Sequence, residues 1–243
     1  MTDIRNKVVL ITGASSGIGA ALARELAAAD ASLLIGARRT DRIEALAAEL
    51  EGAGGTVLAK SLDVTDRDSM NQFAQAAVDA FGRIDVIVNN AGIMPLSPMA
   101  SLKLDEWDRM IDVNIRGVLH GIAAVLPVMN RQGAGQIINV SSIGGLGVVP
   151  TAAVYCATKY AVRAISDGLR QENDKIRVTC VYPGVVESEL ASTITDPVAA
   201  AAMVAYRSIA LKPAAIAAAI AHVIGQPADV DTSEIVVRPT ASA

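Results

Sequence analysis

Short runs that are apolar at nearly every position alternate along this chain with longer stretches of helical pattern. The short runs read as strands buried on both faces: VVLIT (8–12), SLLIG (32–36), VLAKS (57–61), VIVN (86–89), QIINVSS (136–142), IRVTCVY (176–182) and EIVVR (234–238). The longer stretches predict helices over 17–29, 41–51, 66–81, 105–131, 152–173 and 213–225. Asp66 is placed to cap the third, which ends just before Gly82. Pro127 is expected to kink or end the fourth. Alternation of this kind predicts an α/β fold, a doubly wound, seven-stranded parallel sheet flanked by helices. No repeat, low-complexity tail or linker interrupts it, so 1–243 reads as one domain. Residues 184–212 show no clear element and read as an insertion above the sheet.

Composition narrows the classes. The 243 residues are 52% hydrophobic and 19% charged, the profile of a globular chain rather than a disordered one. No run approaches the ~18 uncharged apolar residues of a membrane span. A net charge of −4 argues against nucleic acid or an anionic membrane as partner. The N-terminus runs straight into a strand-like segment and shows no signal peptide. Only Cys156 and Cys180 are present, so a reducing cytoplasm is expected, with Cys156 as a small packing residue. No His/Cys cluster points to a metal.

The first strand is followed by TGASSGIG (12–19). Thr12, Gly13, Gly17 and Gly19 form T-G-x-x-x-G-x-G at a strand-to-helix turn. Glycines let the backbone turn tightly and approach a ligand, and the helix N-terminus behind them offers free N–H groups to a pyrophosphate. A glycine-rich turn alone is a weak signal; its place after the first strand makes it a dinucleotide site. The second strand ends in GARR (36–39), where an NAD site usually carries an acid. Here Arg38 and Arg39 follow Ala37. Charge-assisted bonds to a 2′-phosphate, about 1.5–3 kcal/mol each, predict NADP(H) over NAD(H). Both arginines also read as solvated residues at a helix start, and Asp41 is able to cap that helix or draw one of them away.

VYCATKY (154–160) places Tyr155 and Lys159 one helical turn apart. Such a pair occurs by chance on many helices, so its meaning depends on the rest of the chain. With TGASSGIG, LDV (62–64), NNAG (89–92), VNIRG (113–117), the serine pair 141–142, YCATK (155–159) and YPGVVES (182–188), in this order and spacing, the chain resembles the short-chain dehydrogenases/reductases. The resemblance runs from Lys7 to about Pro239.

It implies a Rossmann fold and hydride transfer between a carbonyl carbon and nicotinamide C4. By the same resemblance Asn114, Ser142, Tyr155 and Lys159 are the catalytic set. Tyr155 gives or takes the proton, Lys159 favours the phenolate and holds the nicotinamide ribose, and Ser142 bonds the substrate oxygen. Asn114 joins Lys159 through water to a proton relay. Ser141 is expected to point to the opposite face of its strand. The implied cofactor contacts are Gly13, Ser15, Ser16, Gly17, Ile18 and Gly19 in the loop, Arg38 and Arg39, Asp63 and Val64 at the adenine, and Asn90, Ala91 and Gly92 beyond it. Pro183, Gly184, Val186 and Ser188 complete them beside the nicotinamide. The family often has threonine at the last position; serine keeps the hydroxyl.

The substrate pocket is expected between 93–98, 143–150 and the insertion, with Met94, Val148, Val149, Leu190 and Met203 beside Ser142 and Tyr155. Apolar walls suit a ketone or aldehyde. Arg207, inside the insertion, is either a solvated residue or a partner for a substrate carboxylate. The final TSEIVVRPTAS is similar, more weakly, to the branch with 3-hydroxy-acid and serine dehydrogenases and clavulanate-type aldehyde reductases. A hydroxy-acid or serine-type dehydrogenase is therefore the nearest alternative, with a 3-oxoacyl-carrier-protein reductase and a non-catalytic NADP(H)-sensing module behind it. The resemblance also implies a homo-oligomer, dimer or tetramer, packed through the long helices 105–131 and 152–173.

Overall fold

A computed structural model describes residues 4–242. Seven strands form one parallel sheet: β1 (Val8–Thr12), β2 (Ser32–Ala37), β3 (Thr56–Ser61), β4 (Val86–Asn89), β5 (Gly135–Val140), β6 (Ile176–Pro183) and β7 (Glu234–Val237). Their order is β3-β2-β1-β4-β5-β6-β7, with every pair parallel. Side chains alternate between two cores. Val9, Ile11, Leu33 and Ile35 face one layer of helices: α1 (Gly17–Ala27), α2 (Thr40–Gly52) and α8 (Pro213–Ile224). Val8, Leu10, Ile87, Ile137 and Val178 face the other, made by α3 (Arg67–Phe81), α5 (Gly117–Gln132) and α6 (Ala153–Gln171). Both faces are covered, which is why the strands are apolar at successive positions. The chain reverses its direction of winding between β1 and β4, so a crevice opens at the carboxyl ends of those two strands.

Local signals explain several boundaries. Asp66 accepts from the backbone N–H groups of Asp68 and Ser69 and caps α3, which stops at Gly82 with φ +77°. The fourth helical region runs from Leu104 to Gln132 as expected, with a π turn at Asp112–Arg116 between α4 (Leu104–Ile111) and α5, and it does not end at Pro127. Pro127 and Ala123, whose carbonyl loses its helical partner, both lie on the exposed face, open to solvent. The continuous run Leu104–Gln132 is long and apolar enough to span a membrane by length and composition alone. In the fold it packs on the sheet through Val118, Ile122, Val125 and Met129.

The insertion also has more structure than its sequence suggests. Its base is closed by a bridge between Val186 and Leu211, with Glu187 N–H donating to the Leu211 carbonyl at 2.9 Å. Between them lie a 3₁₀ turn, Glu189–Thr193, and α7 (Pro197–Tyr206). Only Ala199 of α7 is buried. PVAAAAMVAY is apolar all round, so no periodic stripe marks it as a helix. Asp196, which accepts from Val198 and Ala199 N–H at 3.0 Å each, and Pro197 behind it were the signals for its start.

Candidate active site

The crevice between β1 and β4 is lined first by the glycine loop. Gly13 takes φ +70°, and a Cβ there would meet Ala91 Cα at 2.8 Å, so the loop and the NNAG turn touch backbone to backbone. Asn90 braces that contact, its Nδ2 donating to the Thr12 and Gly13 carbonyls at 2.9 and 3.2 Å. Thr12 Oγ1 accepts from Asn90 and Ala91 N–H at 3.0 and 3.1 Å. Ser16, at the N-cap of α1, makes no capping bond. The first turn of α1 thus keeps donors for an anion, as the predicted pyrophosphate cradle requires.

Beyond the loop, the two arginines separate. Arg39 turns inward and donates to Ser15 Oγ at 3.2 and 2.9 Å and to Ser16 Oγ at 2.9 Å. Arg38 is exposed and acts on Asp63. Burial pushes the Asp63 carboxyl up, but hydrogen bonds from Thr65 and the Arg38 charge outweigh it and hold the group below its usual range. Asp41 sits in the first turn of α2. The acid that draws an arginine away is instead Glu189, 150 residues from Arg39 in sequence, at 2.5 Å. Val64 packs on Gly117, and its carbonyl meets His120 Nδ1 at 2.9 Å.

Ser142, Tyr155, Lys159 and Asn114 are brought together at the ends of β4 and β5. Ser142 leaves β5 with extended backbone and its Oγ accepts from Gly144 N–H at 3.0 Å. A Cβ on Gly144 would lie 3.3 Å from Tyr155 Cε1 and 3.4 Å from Ser142 Oγ, so the ring edge and the hydroxyl flank the same glycine. Ser141 diverges as expected, donating to the Lys159 carbonyl at 2.9 Å and tying α6 to the end of β5. Lys159 Nζ donates to the Val140 carbonyl at 2.9 Å. Burial pushes Tyr155 up to about 12, with the Ser142 hydroxyl acting in the opposite sense, and pushes Lys159 down to about 8. Desolvation thus governs both groups, and the expected pull of the lysine toward phenolate is not seen.

Asn114 sits in the π turn, fully buried. Its amide accepts from Ile93 N–H at 2.9 Å and donates to the Ile93 carbonyl at 3.0 Å and Thr158 Oγ1 at 3.1 Å. The Asn114 side-chain amide is thus engaged directly by protein. Thr158 is a partner the sequence reading did not single out. A point one Cβ away from Gly92 lies 3.4 Å from Asn114 Oδ1 and 3.7 Å from Lys159 Nζ, so these two groups flank the same spot.

Above Tyr155 the walls are apolar. Ile93, Leu96 and Ala199 pack with it in a buried cluster, joined by Met94, Met203 and Trp107. Ile194 and Ala199 belong to the insertion expected to wall the pocket; Trp107 was not foreseen. Val148 and Val149 are 63% and 60% exposed, so they stand at the rim, and Leu190 is half-buried outside the cluster. Arg207 is tied down, its Nη2 donating to the Ser188 carbonyl at 2.7 Å. Pro183 pairs with Val237, and Gly184 packs against Arg238. Ser188 Oγ accepts from Leu190 N–H at 3.3 Å and its Cβ faces Gly17. Ile18 packs on the first core. Cys156 and Cys180 are both free and buried. Among the described residues, no group of three or more His, Cys, Asp or Glu side chains could hold a metal ion.

The geometry agrees with what the chain matches. A model of the short chain dehydrogenase family fits residues 7–199. An uncharacterized oxidoreductase of Staphylococcus saprophyticus is 46% identical, covering 100% of both chains. Among solved structures, an alcohol dehydrogenase from Thermococcus sibiricus complexed with 5-hydroxy-NADP superposes with a TM-score of 0.89 at 33% identity, over 98% of this chain and 99% of that one. A serine dehydrogenase in closed form with NADP+ gives 0.87 at 30%, over 95% and 94%. A short-chain dehydrogenase/reductase from Burkholderia phymatum, complexed with NAD, gives 0.88 at 26%, over 97% and 90%. With its seven-stranded Rossmann sheet, glycine loop and Ser142–Tyr155–Lys159 grouping, the chain is an oxidoreductase of the short-chain dehydrogenase family.

Proposed function

We propose that the protein is an NADP(H)-dependent carbonyl reductase or alcohol dehydrogenase, interconverting a neutral ketone or aldehyde and its alcohol. The observation that carries this reading is the Ser142 hydroxyl beside Tyr155, whose ring is part of a buried apolar cluster. A bound nicotinamide dinucleotide supplies or accepts the hydride. In reduction, Ser142 donates a hydrogen bond to the carbonyl oxygen and Tyr155 gives it the proton. In oxidation, Tyr155 takes the proton back. Lys159 keeps positive charge one turn from the phenol below its own pKa of about 8. Ile93, Leu96 and the 194–203 segment exclude water from the reacting oxygen.

NADP(H) is preferred on the strength of Arg39, which stands at the end of β2 beside two loop hydroxyls where an acid would repel a 2′-phosphate. Two of the solved neighbours carry NADP forms, in keeping with this. The serine dehydrogenase likeness favours a second reading, a hydroxy-acid or serine-type dehydrogenase. Arg207 supports it poorly, because its guanidinium is spent on the Ser188 carbonyl. A sensor without turnover would have no use for the complete proton-transfer set. We assign the protein to the reducing cytoplasm, which suits two free buried thiols. A second copy is proposed on the helical face where Met99, Ile111, Ile115, Val154 and Ala157 line an apolar groove.

The test is NADPH oxidation, followed by absorbance, against neutral ketones, aldehydes, β-keto esters and 3-oxo acids, with NADH in parallel. Turnover of neutral carbonyls with NADPH supports the reading. Turnover confined to acids transfers it to the second, and NADPH binding without turnover of any carbonyl leaves the sensor.

A further inference from the structure

Arg39, expected to receive a 2′-phosphate, already holds an anion of the protein's own, together with Arg42 on the first turn of α2. Glu189 accepts from Arg39 Nη1 at 2.5 Å and from Arg42 Nη1 at 2.7 and 2.9 Å. The opposite edge of the Arg39 guanidinium lies on Ser15 Oγ and Ser16 Oγ. One carboxylate thus rests on two guanidiniums, next to two hydroxyls of the phosphate loop. The hydrogen bonds from Arg39, then Arg42, hold its carboxyl down to about 2, so it stays charged across the neutral range. Of the nearby acids, Asp63 faces Arg38, and Asp41 acts on Arg42 through its charge alone, forming no ion pair among the described residues.

Two guanidiniums with flanking hydroxyls are the donor set that a phosphate monoester needs. A 2′-phosphate carries about 1.5–2 negative charges at neutral pH, more than the carboxylate. Glu189 is also mechanically connected. It follows Ser188, opens the 3₁₀ turn of the insertion, and continues into a segment anchored on its far side by Thr195 Oγ1 donating to Glu106 Oε1 at 2.6 Å and by Ser101 donating to Asp196 at 3.3 Å. The insertion therefore straps across the crevice from α2 to α4, with Glu189 as its α2-side fastening.

We propose that Glu189 is a cofactor-selectivity residue, an internal carboxylate that competes with the cofactor 2′-phosphate for Arg39 and Arg42. The inference rests on the NADP(H) reading. A 2′-phosphorylated ligand takes the guanidiniums and unfastens the strap; a ligand with a free 2′-hydroxyl leaves Glu189 in place. The carboxylate thereby lowers the apparent affinity for NADP(H) and leaves that for NAD(H) unchanged.

Calorimetric titration of the cofactor-free protein with 2′,5′-ADP and with 5′-AMP tests this, in the wild type, Glu189→Gln and Arg39→Gln. The pairs are half-exposed and therefore weak, so Glu189→Gln is expected to tighten 2′,5′-ADP only modestly, about fivefold at low salt. Binding of 5′-AMP is expected to stay within about twofold, and the gain to shrink as salt screens the charges. Unchanged or weaker 2′,5′-ADP binding in Glu189→Gln, or equal tightening of both ligands, overturns the competition. The cofactor reading is judged separately. It falls if the wild type and Arg39→Gln each bind the two probes equally well. If the wild type favours 2′,5′-ADP through Arg39 while Glu189→Gln changes nothing, only the competition falls.

Discussion

The Lys159 ammonium lies 5.8 Å from the centre of the Tyr155 ring, one turn along α6, and both side chains are buried. Burial acts on them in opposite directions. It stabilises the neutral phenol, raising Tyr155 to about 12, and the neutral amine, lowering Lys159 to about 8. Tyr155 is thus a proton donor throughout the neutral range. Reduction is expected to hold steady below pH 8 and to fall above it, as Lys159 loses its charge. Oxidation needs the phenolate and is expected to rise with pH. The pH profiles of kcat/KM in the two directions check this; an oxidation rate that declines with pH contradicts it.

Removing the proton donor should separate chemistry from binding. Tyr155→Phe keeps the ring in its cluster and loses the hydroxyl. Turnover is expected to drop about 10²-fold or more, the usual scale for acid–base catalysis, with NADPH affinity held within a few-fold. Ser142→Ala is expected to cost kcat as well, through the lost bond to the carbonyl oxygen. Stopped-flow turnover together with fluorescence titration of NADPH reads both quantities. Wild-type turnover in Tyr155→Phe would remove the residue from the mechanism.

The depressed lysine also affects stability. A free lysine titrates near 10.4. Between about pH 8 and 10.4 the unfolded chain binds the proton of Lys159 and the folded chain does not. Stability contributed by this group therefore rises with pH across that window, by up to ~3 kcal/mol. Lys159→Met has no such proton. Urea unfolding of both proteins at pH 7 and pH 10 is expected to show the wild type gaining on the variant. Parallel pH dependence in the two would show that Lys159 keeps its ordinary affinity for the proton.

Much of this was legible in the sequence because it depends on local pattern. All seven strands fall within a few residues of their apolar runs, since a strand covered on both faces has no polar position to hide it. The glycine loop, Ser142, Tyr155 and Lys159 were readable because spacing and motif order fix them together. What escaped has other causes. Pro127 was expected to kink or end its helix, yet the helix continues past it, with the lost bond on the exposed face. α7 carries no apolar stripe because it is apolar all round. Glu189 reaches Arg39 across 150 residues, and the Asn114–Thr158 bond across 44; neither pairing has a local signature.

A buried polar ladder gives a test that is independent of catalysis. Asn89 and Asn139 are register partners on β4 and β5, and Asn89 Nδ2 donates to Asn139 Oδ1 at 2.8 Å. Asn139 Nδ2 donates in turn to Ser166 Oγ at 2.9 Å. α5 approaches this ladder through Gly121, where a Cβ would lie 2.0 Å from Asn89 Oδ1. The gap cannot open without shifting α5 or breaking the ladder. Gly121→Ala is expected to lose about 3 kcal/mol despite the better helix propensity of alanine. Thermal unfolding measures it, and a variant as stable as the wild type would mean that α5 yields freely.

The substrate charge can be decided at Arg207. If this residue bound a carboxylate, its loss would weaken acids alone. The structure gives it another partner, the Ser188 carbonyl at 2.7 Å, across the base of the insertion. A charge-assisted bond to a carbonyl is worth roughly 1.5–3 kcal/mol, and losing it loosens the segment carrying Met203 and Ala199 over Tyr155. Arg207→Gln is therefore expected to raise KM for neutral ketones and for 3-oxo acids by the same factor, about ten-fold. Comparing the two substrate classes makes the measurement, because a general loosening moves them together and a lost ion pair does not. A selective loss for acids would return Arg207 to the substrate and with it the hydroxy-acid reading.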